Sequence, residues 1–279
     1  MSNILIPKKR VFTPIPRFID LRNEYSDITF VASGNILPGG GKSTMMKLIA
    51  DATDGYTLSP EMRVFFGTAI KHPEAMRKIT GIPFTPPNDP KQLISYTTKY
   101  IWDIILSKDQ WYENYIETQN EKGFAERELC NLIQTLIHEP EKLVFARGNV
   151  GNQASNETPE AYASENATLN TIALDYSPFT PSIAGNVHHL LDMYTPYDIN
   201  ERRYIERECG TNPTPEHEEY MRYRVGVLHR VESKFLLKNP KGNLYYDNTI
   251  EDDEERTLMR AWAEETAPTI RGNAPDKTF

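Results

Sequence analysis

The sequence predicts a mainly α chain with minor β, an irregular helical domain carrying an extended, Pro-rich amino-terminal arm. Three observations point there. Between Pro90 and Arg147 apolar residues recur at helical spacing with almost no Gly or Pro. Half of the 20 prolines fall in residues 1–90, and Pro removes an amide donor and restricts the residue before it. Only two runs read as strands, Ile28–Ala32 and Leu244–Tyr246.

Taken in order, residues 1–26 form the arm, with Pro7, Pro14 and Pro16 preventing a continuous helix. Residues 27–90 are a small strand, loop and helix region. Its parts are the strand Ile28–Ala32, a loop over Ser33–Gly41 and a short helix over Ser43–Ala52. A second helix runs from the Ser59-Pro60 start through Ile70, followed by a Pro-rich linker at 82–90. Residues 91–279 are a helical body. Leu129, Leu132, Ile133, Leu136 and Ile137 are its cleanest stripe, ended by Pro140. Later helices are expected from Thr158 to about Asn170, over Ile183–Met193, over Ile199–Cys209 with Gly210 as its stop, and from Thr214. A last one spans Asp252–Glu264, anchored by Leu258, Met259 and Trp262. Phe235 is expected as a second buried anchor of the late helices.

Composition narrows the function classes. Apolar content of 39% against 25% charged residues supports a real core. No apolar run approaches the roughly 20 residues of a membrane span, and the amino terminus lacks the order of a secretory signal. Cys130 and Cys209, the only cysteines, suggest a reducing intracellular compartment, or an assembled particle, and no disulfide framework. The net charge of −8 is uneven, +4 over residues 1–47 and −12 over the rest. An acidic body argues against broad nucleic-acid binding, so nucleic acid is expected only through the basic arm.

The sharpest motif is Gly39-Gly40-Gly41-Lys42-Ser43-Thr44, placed after a strand and before a helix. Glycine amides there can cradle phosphate oxygens, Lys42 can reach a terminal phosphate and Ser43 can hold Mg²⁺. Ile36-Leu37-Pro38-Gly39-Gly40-Gly41-Lys42-Ser43 resembles the Walker A loop of P-loop nucleotide kinases, G-x-P-G-x-G-K-[ST], with Ile36 where that pattern opens on Gly. The resemblance implies nucleotide phosphate binding with Mg-ATP or Mg-GTP. Its acidic partner would be a carboxylate ending an apolar run, and Thr171-Ile172-Ala173-Leu174-Asp175 has that form, although it reads as the tail of a helix.

Other constellations are weaker. His188 and His189 are adjacent and cannot share a face, and no spacing of His or Cys suits a transition metal. Glu251–Glu255 lacks the spaced oxygens of a calcium loop. A tyrosine- and arginine-rich segment offers interface candidates in Tyr194, Tyr197, Arg202, Arg203, Tyr204, Tyr220, Tyr223 and Arg224.

Two function readings follow. The first is a non-enzymatic structural or interaction subunit of a large assembly, of the virion or multi-subunit type. Its partners are other protein subunits, copies of itself among them, with no cofactor and no membrane. The second is a degenerate P-loop NTPase or nucleotide kinase using the Gly39–Thr44 loop with Asp175. The number of parallel strands discriminates between them.

Overall fold

The computed structural model describes residues 17–33, 39–60, 77, 123–143, 145–147, 161–175, 181–210, 214–236, 242–249 and 254–272. It overturns the expected fold class. The protein is α/β, and its described residues form a seven-stranded mixed sheet. The strands are β1 (Thr29–Ser33), β2 (Tyr56–Leu58), β3 (Phe145–Arg147), β4 (Ala161–Ala163), β5 (Thr171–Leu174), β6 (His189–Tyr194) and β7 (Leu244–Asp247). Their order across the sheet is β3-β4-β2-β5-β1-β6-β7. The five from β2 to β7 run parallel, and β4 pairs antiparallel with β2.

The helices are α1 (Phe18–Glu24), α2 (Lys42–Ala52), α3 (Phe124–His138), α4 (Pro181–Ala184), α5 (Tyr197–Cys209), α6 (Pro215–Leu236) and α7 (Glu254–Arg271). Side chains of a strand alternate between faces, and the core divides accordingly. Phe30, Ala32, Ile172, Leu174 and Leu190 join Phe18 and Leu21 of α1, Leu129, Leu132, Ile133 and Leu136 of α3, and Ile183 of α4. On the other face Val31, Ala173, Leu191 and Met193 meet Met45, Met46 and Ile49 of α2, and Met259, Ala263 and Ile270 of α7. A parallel sheet covered on both faces is the α/β arrangement.

That double covering explains the misread segments. All four residues of β5 are buried, so no polar alternation marks it as a strand, and a short buried apolar run has the same periodicity in either element. The segment expected as a helix from Thr158 holds β4 and turns over its described residues, and Ile183–Met193 holds only the last two residues of α4 before β6. Residues 17–26, expected as the end of the arm, contain α1, whose Phe18 and Leu21 are core residues. The last arm proline is Pro16, so nothing beyond it prevents a helix.

Several expectations match the structure. α2, α5 and α6 lie where periodicity and caps placed them, with Gly210 closing α5 at φ +70°. α3 carries the expected stripe and stops before Pro140, which opens a 3-10 turn. Burial pushes the Cys130 thiol up to about 12, which leaves it a small apolar core residue. The helices expected over 61–70 and 91–122, the linker at 82–90, residues 1–16 and the side chain of Phe235 lie outside the described residues. Among the described residues no helix is long and apolar enough to cross a membrane.

Of the expected carboxy-terminal anchor, Met259 is buried and Leu258 is not. Met259, Ala263, Ala267 and Ile270 form the buried stripe of α7. Trp262 is half-buried and packs edge-to-face on Tyr246 at 5.5 Å. We expect Trp262→Ala to cost about 2 kcal/mol, below the ~3–5 kcal/mol of a fully buried aromatic. Urea unfolding measures this, and a loss within error would remove Trp262 from the packing.

His188 supplies a pH dependence on the opposite face. Its ring stacks on Phe30 at 6.0 Å, and the Phe30 N–H donates to its Nδ1 at 3.0 Å. Burial, with the Arg22 guanidinium and His189 beside it, pulls the imidazole down to about 4. The folded protein therefore holds it neutral while the unfolded chain takes up a proton below about pH 6.5. Its contribution is intact above pH 6.5 and is lost as pH falls toward 4. Discounted for partial exposure, the loss is on the order of 1–2 kcal/mol. His188→Gln should lose that much less stability than the natural protein between pH 7 and pH 4.5 in denaturant titrations, and equal losses would contradict the assignment.

Candidate functional site

The carboxyl ends of the parallel strands gather the site. The chain leaves β1 for α2 and β2 on one side of it, then leaves β5 for β6 on the other. Ligands of open α/β sheets bind in the crevice where the connections diverge in this way. Gly39-Gly40-Gly41 lies there, between the end of the central strand β1 and the start of α2. Gly39 has φ +86° and Gly41 φ +79°, conformations that L side chains rarely adopt. A Cβ on Gly39 would also come within 3.0 Å of the Asn200 carbonyl oxygen.

Gly41 is the N-cap of α2, and its carbonyl accepts from the Met45 N–H at 2.9 Å, the first bond of the helix. The amides of Lys42, Ser43 and Thr44 therefore precede the helical ladder. No side chain caps this end, and its first turn holds no acid. By contrast α1, α3, α5, α6 and α7 each carry an acid in the first turn. The nearest acid on record comes from α7: a Cβ on Gly41 would lie 3.6 Å from Glu255 Oε1, and Glu255 is paired with Arg203, so the amides of the first turn stay available to an anion. Lys42 and Thr44 are half-buried and Ser43 is exposed at this turn. Ile36, the departure from the Walker A pattern, lies outside the described residues.

Asp175 stands at the carboxyl end of β5, the strand next to β1. It follows Leu174, whose register partner is Ala32, so it emerges beside Ser33 at the end of the neighbouring strand. The run before it is strand β5, which corrects its reading as a helix tail. Asp175 is 8% exposed, one carboxylate oxygen accepts from the Ser59 hydroxyl at 3.1 Å, and the other, Oδ1, has no hydrogen-bond partner. A buried carboxylate oxygen without a partner is costly, and it suits a cation or a cation-bound water. Ser59 follows β2, the strand on the other side of β5. It had the sequence signature of a helix start, and nothing local connects it to Asp175.

The ends of β6 and β7 hold the loop from the other side. The Gly40 carbonyl accepts from Asn248 Nδ2 at 3.0 Å and from the Thr195 hydroxyl at 3.4 Å. Arg203 of α5 packs its Cβ close to Gly39 and pairs with Glu255 of α7 at 2.8 Å. Sequence reasoning missed Asn248, Thr195 and Glu255, which reach the loop across 155 to 208 positions of chain in the bonded cases.

The interface candidates separate into two groups. Tyr204 and Arg224 are buried and Tyr220 half-buried where α5 packs on α6, with the Arg224 guanidinium 5.9 Å from the Tyr204 ring centre and 5.6 Å from that of Tyr220. Tyr194, Tyr197 and Tyr223 are exposed, as is Arg202, while Arg203 lies beside the loop. Among the described residues no group of three His, Cys, Asp or Glu side chains is placed to hold a metal ion. A magnesium site built on one carboxylate, a hydroxyl and phosphate oxygens requires no such group.

No family model matches the chain, and no curated protein matches it. Among solved structures, the crystal structure of TT1252 from Thermus thermophilus aligns at a TM-score of 0.43 with 15% identity, over 86% of this chain and 96% of that one. A likeness at that level carries no argument about function.

Proposed function

We propose that the protein binds a magnesium nucleoside triphosphate at the Gly39–Thr44 loop, as a P-loop NTPase or nucleotide kinase. The observation that supports this reading most is the joining of two features at the ends of adjacent parallel strands. One is a glycine loop running into an acid-free helix start with Lys42 and Ser43. The other is Asp175, with a buried carboxylate oxygen left without a partner. Loop amides and the α2 terminus would take phosphate oxygens, Lys42 would neutralise the outer phosphate, and Ser43 with Asp175 would hold Mg²⁺. When bound, the ion would supply charge neutralisation between the phosphates. Five parallel strands favour this reading over the assembly subunit, whose premise was a helical body.

The exposed Tyr194, Tyr197 and Tyr223 support a second, compatible reading, a protein partner at this end of the molecule. Calorimetric titration with ATP, GTP and inorganic tripolyphosphate, with and without Mg²⁺, tests the first. Micromolar binding that strengthens with Mg²⁺ is expected. Absence of binding to all three ligands would return the assembly reading to first place.

A further inference from the structure

We infer that Asn248 is a positioning residue that sets the Gly40–Gly41 peptide so that the Gly41 N–H faces the bound phosphate. The inference rests on the phosphate reading above. Asn248 follows β7 and is 0% exposed. Its backbone N–H donates to the Tyr194 carbonyl at 2.7 Å, which ties it to the end of β6. From that fixed base its side-chain Nδ2 donates to the Gly40 carbonyl at 3.0 Å, and the Thr195 hydroxyl reaches the same oxygen at 3.4 Å.

A trans peptide unit is planar, and its C=O and N–H point in opposite directions. The chain has no cis peptide bond among the described residues. With the Gly40 oxygen held toward β6 and β7, the Gly41 N–H is directed to the other side of the loop, ahead of the α2 terminus. Flanking glycines make the opposite orientation of this peptide sterically accessible. In that orientation the carbonyl oxygen would replace the N–H and repel a phosphate. The donors on Asn248 and Thr195 select the first orientation, because only it gives them an acceptor. Gly41 is constrained from the same direction, since a Cβ there would lie 3.0 Å from Asn248 Nδ2. The glycine and the asparagine therefore act as one unit. Such preorganisation matters most where donors must be aimed before the charge arrives.

The test compares the natural chain with Asn248→Ala and Thr195→Val, titrated with Mg-ATP and with base-free Mg-tripolyphosphate, while the Gly41 amide resonance is followed by NMR. We expect Asn248→Ala to weaken both ligands by about the same tenfold factor and to shrink the Gly41 amide shift that tripolyphosphate induces. Thr195→Val should weaken both about two- to threefold and carries the test if Asn248→Ala does not fold. Unchanged affinity and unchanged Gly41 shift in the folded variants would overturn the inference. So would loss of ATP with tripolyphosphate retained, which would place Asn248 against the nucleoside. If the natural chain binds neither ligand, the phosphate reading itself fails, an outcome distinct from both.

Discussion

Lys42→Ala is expected to remove Mg-ATP and Mg-GTP binding while leaving the fold intact. Lys42 is the first residue of α2 and half-buried beside Gly41, and it brings the positive side chain of the loop to the helix terminus. A hydrogen bond between charged groups contributes up to about 3 kcal/mol, which corresponds to roughly a 100-fold loss of affinity. Stability should change by less than about 0.5 kcal/mol, because Ala is a good helix former and no core residue is altered. Calorimetry and urea unfolding on the same preparation check both halves. Unchanged nucleotide affinity would make Lys42 a solvated surface lysine, as the assembly reading requires.

The second large effect is expected at Asp175. Asp175→Asn keeps the size of the side chain and an acceptor for the Ser59 hydroxyl, but it removes the charge that the unpartnered oxygen carries. Without Mg²⁺ the variant should bind tripolyphosphate at least as well as the natural chain, because a negative charge beside the phosphate has gone. With Mg²⁺ it should gain little, whereas the natural chain should gain about tenfold or more. The two titration curves therefore separate a metal-holding role from a purely structural hydrogen bond to Ser59. An equal response to Mg²⁺ in both proteins would assign Asp175 to the latter.

How much of this was legible depends on where each signal resides. Lys42, Ser43 and Thr44 follow three glycines in sequence, so the chemistry of the loop and the start of α2 are local, and both were readable. The stripes of α3 and α6 were readable for the same reason, since Leu129, Leu132 and Ile133, like Met221, Val225 and Leu228, state their period within a few turns. β5 and β6 were not. Thr171–Leu174 is buried on both faces only because α1 and α3 cover one side of the sheet and α2 and α7 the other. Leu190, Leu191 and Met193 fit a helix as well as a strand until pairing with β1 and β7 decides the matter. That ambiguity, together with the three-residue strands β2, β3 and β4, which are too short to state a period, carried the fold class from α/β to mainly α.

The site shows the same division. Asp175 was recognisable as a carboxylate ending an apolar run, but its meaning depended on that run being a strand next to β1. Nothing local marks Ser59, Thr195 or Asn248 as a site residue. They meet the site because the sheet order brings the ends of β2, β6 and β7 around the loop after β1. Tyr204 and Arg224 illustrate the converse error. The composition of an interface and that of a helix pair packed through cation–aromatic contacts are the same on paper, and only burial distinguishes them.

Amide hydrogen exchange, read by mass spectrometry with and without Mg-tripolyphosphate, tests the central claim most directly, because it locates the ligand without assuming an activity. Binding at the loop predicts slowed exchange confined to residues 39–47 and the segment through Asp175, abolished in Lys42→Ala. Protection elsewhere in the chain, or none at a ligand concentration that saturates the calorimetric signal, would contradict it.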